Sequence, residues 1–140
     1  MLGIVYANGQ GVPRDDERSV HWYRVAAEQG FAPAQFNLGT CYVNGLGVHQ
    51  DDATAAGWFR KAAEQGNVLA QSILGTSYAL GRGVPQDYTK AVMWSFIASL
   101  EGGQKAKQGL ALVKRYATAS EVQEGKRLAR DWLSTHKPTE

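Results

Sequence analysis

Ala34, Leu38, Cys41 and Tyr42 recur at steps of four, three and one, the spacing of a single face on a helix with 3.6 residues per turn. A second stripe follows: Ala55, Trp58, Phe59, Ala62 and Ala63. Between them the polar and glycine positions act as punctuation. Pro33 suits a first helical turn, where its fixed φ fits and its missing N–H is no loss. Asn44-Gly45-Leu46-Gly47 ends the first helix, because glycine takes the left-handed conformation that reverses the chain. Val48 is expected to face inward under that turn. Asp51 is placed to cap the next helix, its carboxylate accepting from free amides at the positive end of the dipole. Gly66 closes the second helix. Residues 32–66 therefore predict two antiparallel helices, and the alanines beside large aromatics let the backbones approach closely.

The pattern repeats every 36 residues. Leu38–Asp51 is matched by Leu74–Asp87, with Gly75, Tyr78, Gly81, Gly83, Val84 and Asp87 in register, and by Leu2–Asp15, with Gly3, Tyr6, Gly9, Gly11, Val12 and Asp15. Trp22, Trp58 and Trp94 align, as do Gly30, Gly66 and Gly102, without an insertion. Such strictness means stacked units related by one constant rotation. The units fall at about 1–30, 31–66 and 67–102, followed by a final helix pair over 103–135 and a tail over 136–140, all one domain.

The last copy departs from the rule. Ala111 stands where Gly39 stood, Lys114 replaces Tyr42, and the double-glycine turn is gone. Thr118 and Glu121 instead form a capping-box pattern ahead of a helix carrying Val122, Gly125, Leu128, Ala129, Trp132 and Leu133. Arg24 and Arg60 hold an outer position that becomes Phe96, and Ile97 stands beside it where Val25 and Lys61 stood. That change predicts a covering element, and the Trp132–Leu133 helix is the candidate. At the other end the chain starts about five residues into a unit. A first helix bearing Ile4 and Val5 makes a poor terminal cap. Either the natural protein is expected to continue upstream, the favoured reading, or a partner chain to cover this end; the chain is expected to be a monomer or a weak dimer through it.

The pattern Leu-Gly-x-x-Tyr-x-x-Gly-x-Gly-Val-x-x-Asp, followed by Ala-x-x-Trp-aromatic-x-x-Ala-Ala-x-x-Gly, resembles the Sel1-like repeat, a relative of the tetratricopeptide repeat, over about residues 1–117. The resemblance implies an all-α, right-handed superhelix that serves as a non-enzymatic scaffold for a protein or peptide partner. By analogy with the related repeat, first helices line the concave face. The expected partner-binding residues are Phe36, Asn37, Thr40, Val43 and Asn44, then Ser72, Ile73, Thr76 and Ala79, then Gln108, Leu112 and Arg115. The surface is small, apolar and hydroxyl-bearing, suited to an extended or helical peptide. It lacks a Lys/Asn array for clamping a terminal carboxylate. The second reading is a regulatory or adaptor segment of a larger protein, with export left open. A third, a hydrolase, leans on cysteine-rich relatives linked to β-lactam binding, and this chain has one cysteine.

Charge adds little to the picture. Net charge is +2, from 15 basic and 13 acidic residues. Residues 1–102 carry 7 basic and 9 acidic side chains, and residues 103–140 carry 8 and 4. The basic excess is read as a solvated face. No basic groove interleaves the 14 aromatics, eight of which are assigned to core positions, so no nucleic-acid partner is expected. Cys41 alone permits no internal disulfide. His21, His49 and His136 show no metal-ligand spacing, and no catalytic pair, metal or cofactor is expected. The Gly-x-Gly turns follow helices and lack the Lys-Ser/Thr ending of a phosphate loop. No apolar run approaches the roughly 20 residues of a membrane span, and no signal peptide is visible. The compartment stays unassigned.

Overall fold

A computed structural model describes residues 15–136. Within them run seven helices and no strand: α1 (Asp16–Glu28), α2 (Ala32–Asn44), α3 (Asp52–Glu64), α4 (Val68–Leu80), α5 (Tyr88–Ser99), α6 (Gly103–Tyr116) and α7 (Ala119–Thr135). The opening helix and turn expected over residues 1–14, and the uncapped end they form, lie outside the described residues. So does most of the tail.

The boundaries follow from the repeated residues. Asp15, Asp51 and Asp87 sit in extended backbone, and their carboxylates accept from the amides of Arg18 at 3.0 Å, Thr54 at 3.2 Å and Lys90 at 3.1 Å. The Thr54 hydroxyl also donates to Asp51 at 2.8 Å, and this bond first, then the Thr54 amide, holds the Asp51 carboxyl below the ordinary aspartate range. Gly45 and Gly81 take φ of 67° and 70°, closing α2 and α4. The turns are then cinched back: the amides of Asp51 and Asp87 donate to the carbonyls of Tyr42 and Tyr78, each at 2.9 Å.

α2 packs between α1 and α3, and α4 between α3 and α5, which makes one continuous stack. Ala34, Leu38, Ala62, Ala63, Ala70 and Leu74 are buried along the seam. Gly39 and Gly75 make it tight. A Cβ on Gly39 would lie 2.8 Å from the Phe59 ring, and one on Gly75 would lie 2.2 Å from Ser95 Oγ. Steric room, not turn geometry, explains these two glycines.

A polar ladder runs beside the apolar seam. Gln35 and Gln71, 4% and 3% exposed, donate from Nε2 to the carbonyls of Ala27 and Ala63 at 3.1 Å each, a second bond to helix-end acceptors that the amides of Gly30 and Gly66 also meet at 3.0 Å. Arg24 Nη2 donates to the Tyr42 hydroxyl at 2.8 Å, and Arg60 donates likewise to Tyr78. The arginines at the supposedly outer position thus tie each second helix to the next unit. Gln71→Met, nearly isosteric, is expected to lower the unfolding free energy by about 0.5–1.5 kcal/mol by removing this second bond, the Ala63 carbonyl keeping the Gly66 amide. The shift of a urea midpoint measures it, and an unchanged midpoint would mean the bond contributes nothing net.

The ladder ends at the last copy, where Phe96, Lys107 and Lys114 occupy the Arg, Gln and Tyr positions. Both halves of the capping box form, Thr118 Oγ1 accepting from the Glu121 amide at 3.1 Å and Glu121 accepting from the Thr118 amide at 2.8 Å. Helices α6 and α7 nonetheless hardly touch each other. Both lie on α5, so residues 103–135 are two helices sharing one support and not a hairpin like the earlier units. Ile97 is buried, Phe96 half-buried, and Trp132 stands edge-on to Trp94 with ring centroids 5.6 Å apart. His136, grouped with the tail by sequence, stacks on Trp132 at 4.0 Å.

The aligned tryptophans are not equally buried. Trp94 is 5% exposed, Trp58 is half-buried and Trp22 is 39% exposed. The cause is α7, which lies over α5; among the described residues no helix lies in that way over α1 or α3.

Candidate functional site

The first helices are brought side by side, and α2, α4 and α6 enclose a groove of about 640 Å³. Phe36, Thr40 and Val43 line it from α2, and Ser72, Ile73 and Thr76 from α4. Ala55, Ala56 and Phe59 of α3 form part of the floor, where Phe36 and Phe59 meet with centroids 5.7 Å apart. Six of the twelve residues singled out by sequence are thus gathered in one place. Asn37, Asn44 and Ala79 stand outside the lining, as do Gln108, Leu112 and Arg115.

The reason is superhelical rotation. On α2 the lining positions are 36, 40 and 43; on α6 they are 105, 106 and 109, aligned with 33, 34 and 37. The lining therefore slides toward the N-terminal end of each successive first helix. A fixed register applied to all units overshoots on α6, and Leu112, 54% exposed, falls past the groove's edge. The same slide brings in Leu69 of α4, 63% exposed, and Gly109, next to whose Cα a Cβ would meet nothing within 4 Å. Leu69, Lys105 and Gly109 escaped the sequence reading. The signal available was an apolar residue where Pro33 stands.

The hydroxyls are partly committed. Thr40 donates to the Phe36 carbonyl at 3.1 Å and Thr76 to the Ser72 carbonyl at 3.3 Å, so both keep only acceptor capacity toward a ligand. Charge enters at the margins. Arg82 Nε lies 3.7 Å from Asp52 Oδ2, and Gln50 donates to Asp52 at 2.7 Å. Lys105, from the first turn of α6, has no carboxylate partner among the described residues. The groove can hold apolar side chains along its length and polar groups at its rim.

Outside the groove the candidate chemistry stays dispersed. Cys41 is buried beside Tyr23, whose hydroxyl is pushed above the usual tyrosine range by burial first and by Cys41 second. His21 packs edge-on to Trp22, and His49 is exposed. Among the described residues no group of three or more His, Cys, Asp or Glu is placed to hold a metal ion, and no helix is long and apolar enough to cross a membrane.

The Sel1 repeat model matches residues 1–31, 32–67 and 68–103. Among solved structures the chain is similar to a protective antigen present in uropathogenic Escherichia coli strains and displaying an SLR fold (34% identity, TM-score 0.88), covering 98% of this chain and 29% of that one. It is also similar to a Sel1 repeat protein from Oxalobacter formigenes (34% identity, TM-score 0.80), covering 96% of this chain and 55% of that one. The chain thus spans under two thirds of either relative's length. A search of curated proteins finds no match.

Proposed function

The chain belongs to the Sel1 repeat family, whose repeats generally act as protein-interaction scaffolds, and on that premise we propose that it holds a peptide segment of a protein partner in the groove between α2, α4 and α6. The observation that carries this reading is the juxtaposition of Phe36, Ile73 and exposed Leu69 with the hydroxyls of Thr40, Ser72 and Thr76 in one elongated depression. Apolar pockets with a few convergent polar groups are what peptide and ligand sites share. Thr40 and Thr76 cannot donate outward, so a partner is favoured that donates from backbone or side-chain N–H groups and inserts apolar side chains between them.

Two independent variants test it. Thr40→Arg with Thr76→Arg fills the groove with charge, and Gly109→Trp fills it with bulk at a position where added atoms meet open space. Partner capture from the source cell, identified by mass spectrometry, is expected to lose the same protein with both variants while helicity by circular dichroism is unchanged. A partner retained by both would overturn the groove assignment.

A further inference from the structure

The groove between α2, α4 and α6 has two unlike ends. At one, Asp52 and Arg82 line it as a pair, Arg82 Nε lying 3.7 Å from Asp52 Oδ2, and their charges cancel. At the other, the first turns of α4 and α6 meet. A Cβ on Gly102 would lie 3.1 Å from Val68 Cγ1, and Leu69 and Lys105, which share one register position in successive units, both line the groove there. The 13 residues of α4 separate the ends by about 20 Å at 1.5 Å per residue, the reach of about six residues of extended chain.

Lys105 is the odd charge in this lining. Of the four basic residues of α6, Lys105, Lys107, Lys114 and Arg115, it alone lines the groove. Folding gives no reason for a cation at this place. No side chain caps α6 and its first turn holds no acid, so a lysine there opposes the helix dipole. Glu101, four residues earlier, and the other carboxylates of the described residues stand beyond ion-pair distance from it. Gly109, one turn on, leaves the wall bare. A Cβ there would meet nothing within 4 Å, so packing does not ask for a glycine at mid-helix, where it lowers helix propensity. A bare wall beside an unanswered ammonium gives the chain of a ligand room to come close.

We infer that this end of the groove selects a peptide carrying a side-chain carboxylate, Asp or Glu, beside the apolar residue that sits on Leu69. The inference rests on the groove holding a peptide and adds which peptide it is. Charge complementarity carries it. The lining has one cation in excess at a fixed place, so an acid is called for at the α6 end and none at the Asp52–Arg82 end. A basic residue at the α6 end would be repelled. A chain-terminal carboxylate would call for several donors converging on it, and the lining offers one ammonium there.

The test is selection from a phage library of random peptides of about ten residues, longer than the groove and fused at their C-termini so that no terminal carboxylate is free. Recovered peptides are expected to be enriched in Asp or Glu next to an apolar residue, and to be lost with Thr40→Arg plus Thr76→Arg. In fluorescence anisotropy a recovered peptide should bind Lys105→Glu about fivefold more weakly or worse. Lys107→Glu, the same charge change outside the lining, should stay within about twofold. Glutamate in a first turn suits the helix dipole, so binding lost by Lys105→Glu is not lost fold. Selection on Lys105→Glu should return Lys or Arg in place of the acid. Groove-dependent peptides without the acid, or acidic peptides that bind Lys105→Glu and Lys107→Glu alike, would overturn this inference and leave the groove reading standing. Recovery of no peptide, or only of peptides indifferent to Thr40→Arg with Thr76→Arg, would overturn both.

Discussion

Gly83→Ala is expected to lower the stability of the chain by about 3 kcal/mol or more, a fall of roughly 10 °C in melting temperature. Two separate effects combine. Gly83 has φ of 77°, where an alanine loses about 1–2 kcal/mol. Its Cβ would also lie 2.3 Å from the Asp52 carbonyl oxygen and 2.7 Å from the carbonyl carbon. Those are backbone atoms of α3's first turn and cannot swing aside as a side chain can, so the turn must lift off the preceding unit. Gly66→Ala isolates the first effect, since Gly66 has φ of 94° but nothing within 4 Å of its would-be Cβ. Thermal melts of both variants decide the matter. Equal losses would mean that close stacking of the turns contributes nothing.

Gly125→Val should detach the C-terminal helix. Its Cβ would meet Val92 Cβ at 2.6 Å and the Thr89 carbonyl oxygen at 2.7 Å, at the point where α7 crosses α5. The helices must part, and Trp132 then loses its contact with Trp94. About 2–4 kcal/mol should go, the sum of overpacking and of lost burial of Trp132 and Leu133. The readouts are local: faster acrylamide quenching of tryptophan emission, and earlier tryptic cleavage within 126–130. A variant that melts lower overall but shows neither change would place the crossing elsewhere.

These glycines show what was legible in the sequence. The double-glycine turns, the aspartate caps, the helix boundaries and the covering of Phe96 and Ile97 by the Trp132 helix all follow from the repeat, because each is a local rule or a break in one. Gly39, Gly75 and Gly125 are visible by position, but their reason, contact with Phe59, Ser95 and Val92, belongs to packing. Gln35 with Gln71, and Arg24 with Arg60, also recur in register. The arginines are expected on the outside, and the glutamines carry no signal of their own, because a single chain pattern does not reveal that a carbonyl of the preceding helix or a tyrosine of the next unit faces them. The groove was half legible for a similar reason. Side-chain facing within one helix follows from 3.6 residues per turn, whereas the rotation between helices, which carried the lining from Phe36 and Thr40 to Lys105 and Gly109, is a property of the stack.

The uneven burial of the aligned tryptophans has an optical consequence. Each unit carries one indole at the same structural position, yet the indoles grade from wet at Trp22 through Trp58 to dry at Trp94. Emission from the three aligned indoles is therefore expected to be ordered along the axis, redder near α1 and bluer near α5, with Trp132 of α7, half-buried against Trp94, as a fourth contributor. If the array unzips from the α7 end, the blue component disappears first; if it opens from α1, the spectrum loses red intensity before it shifts. One spectrum taken during unfolding thus reports the direction in which the repeats come apart, with no label added.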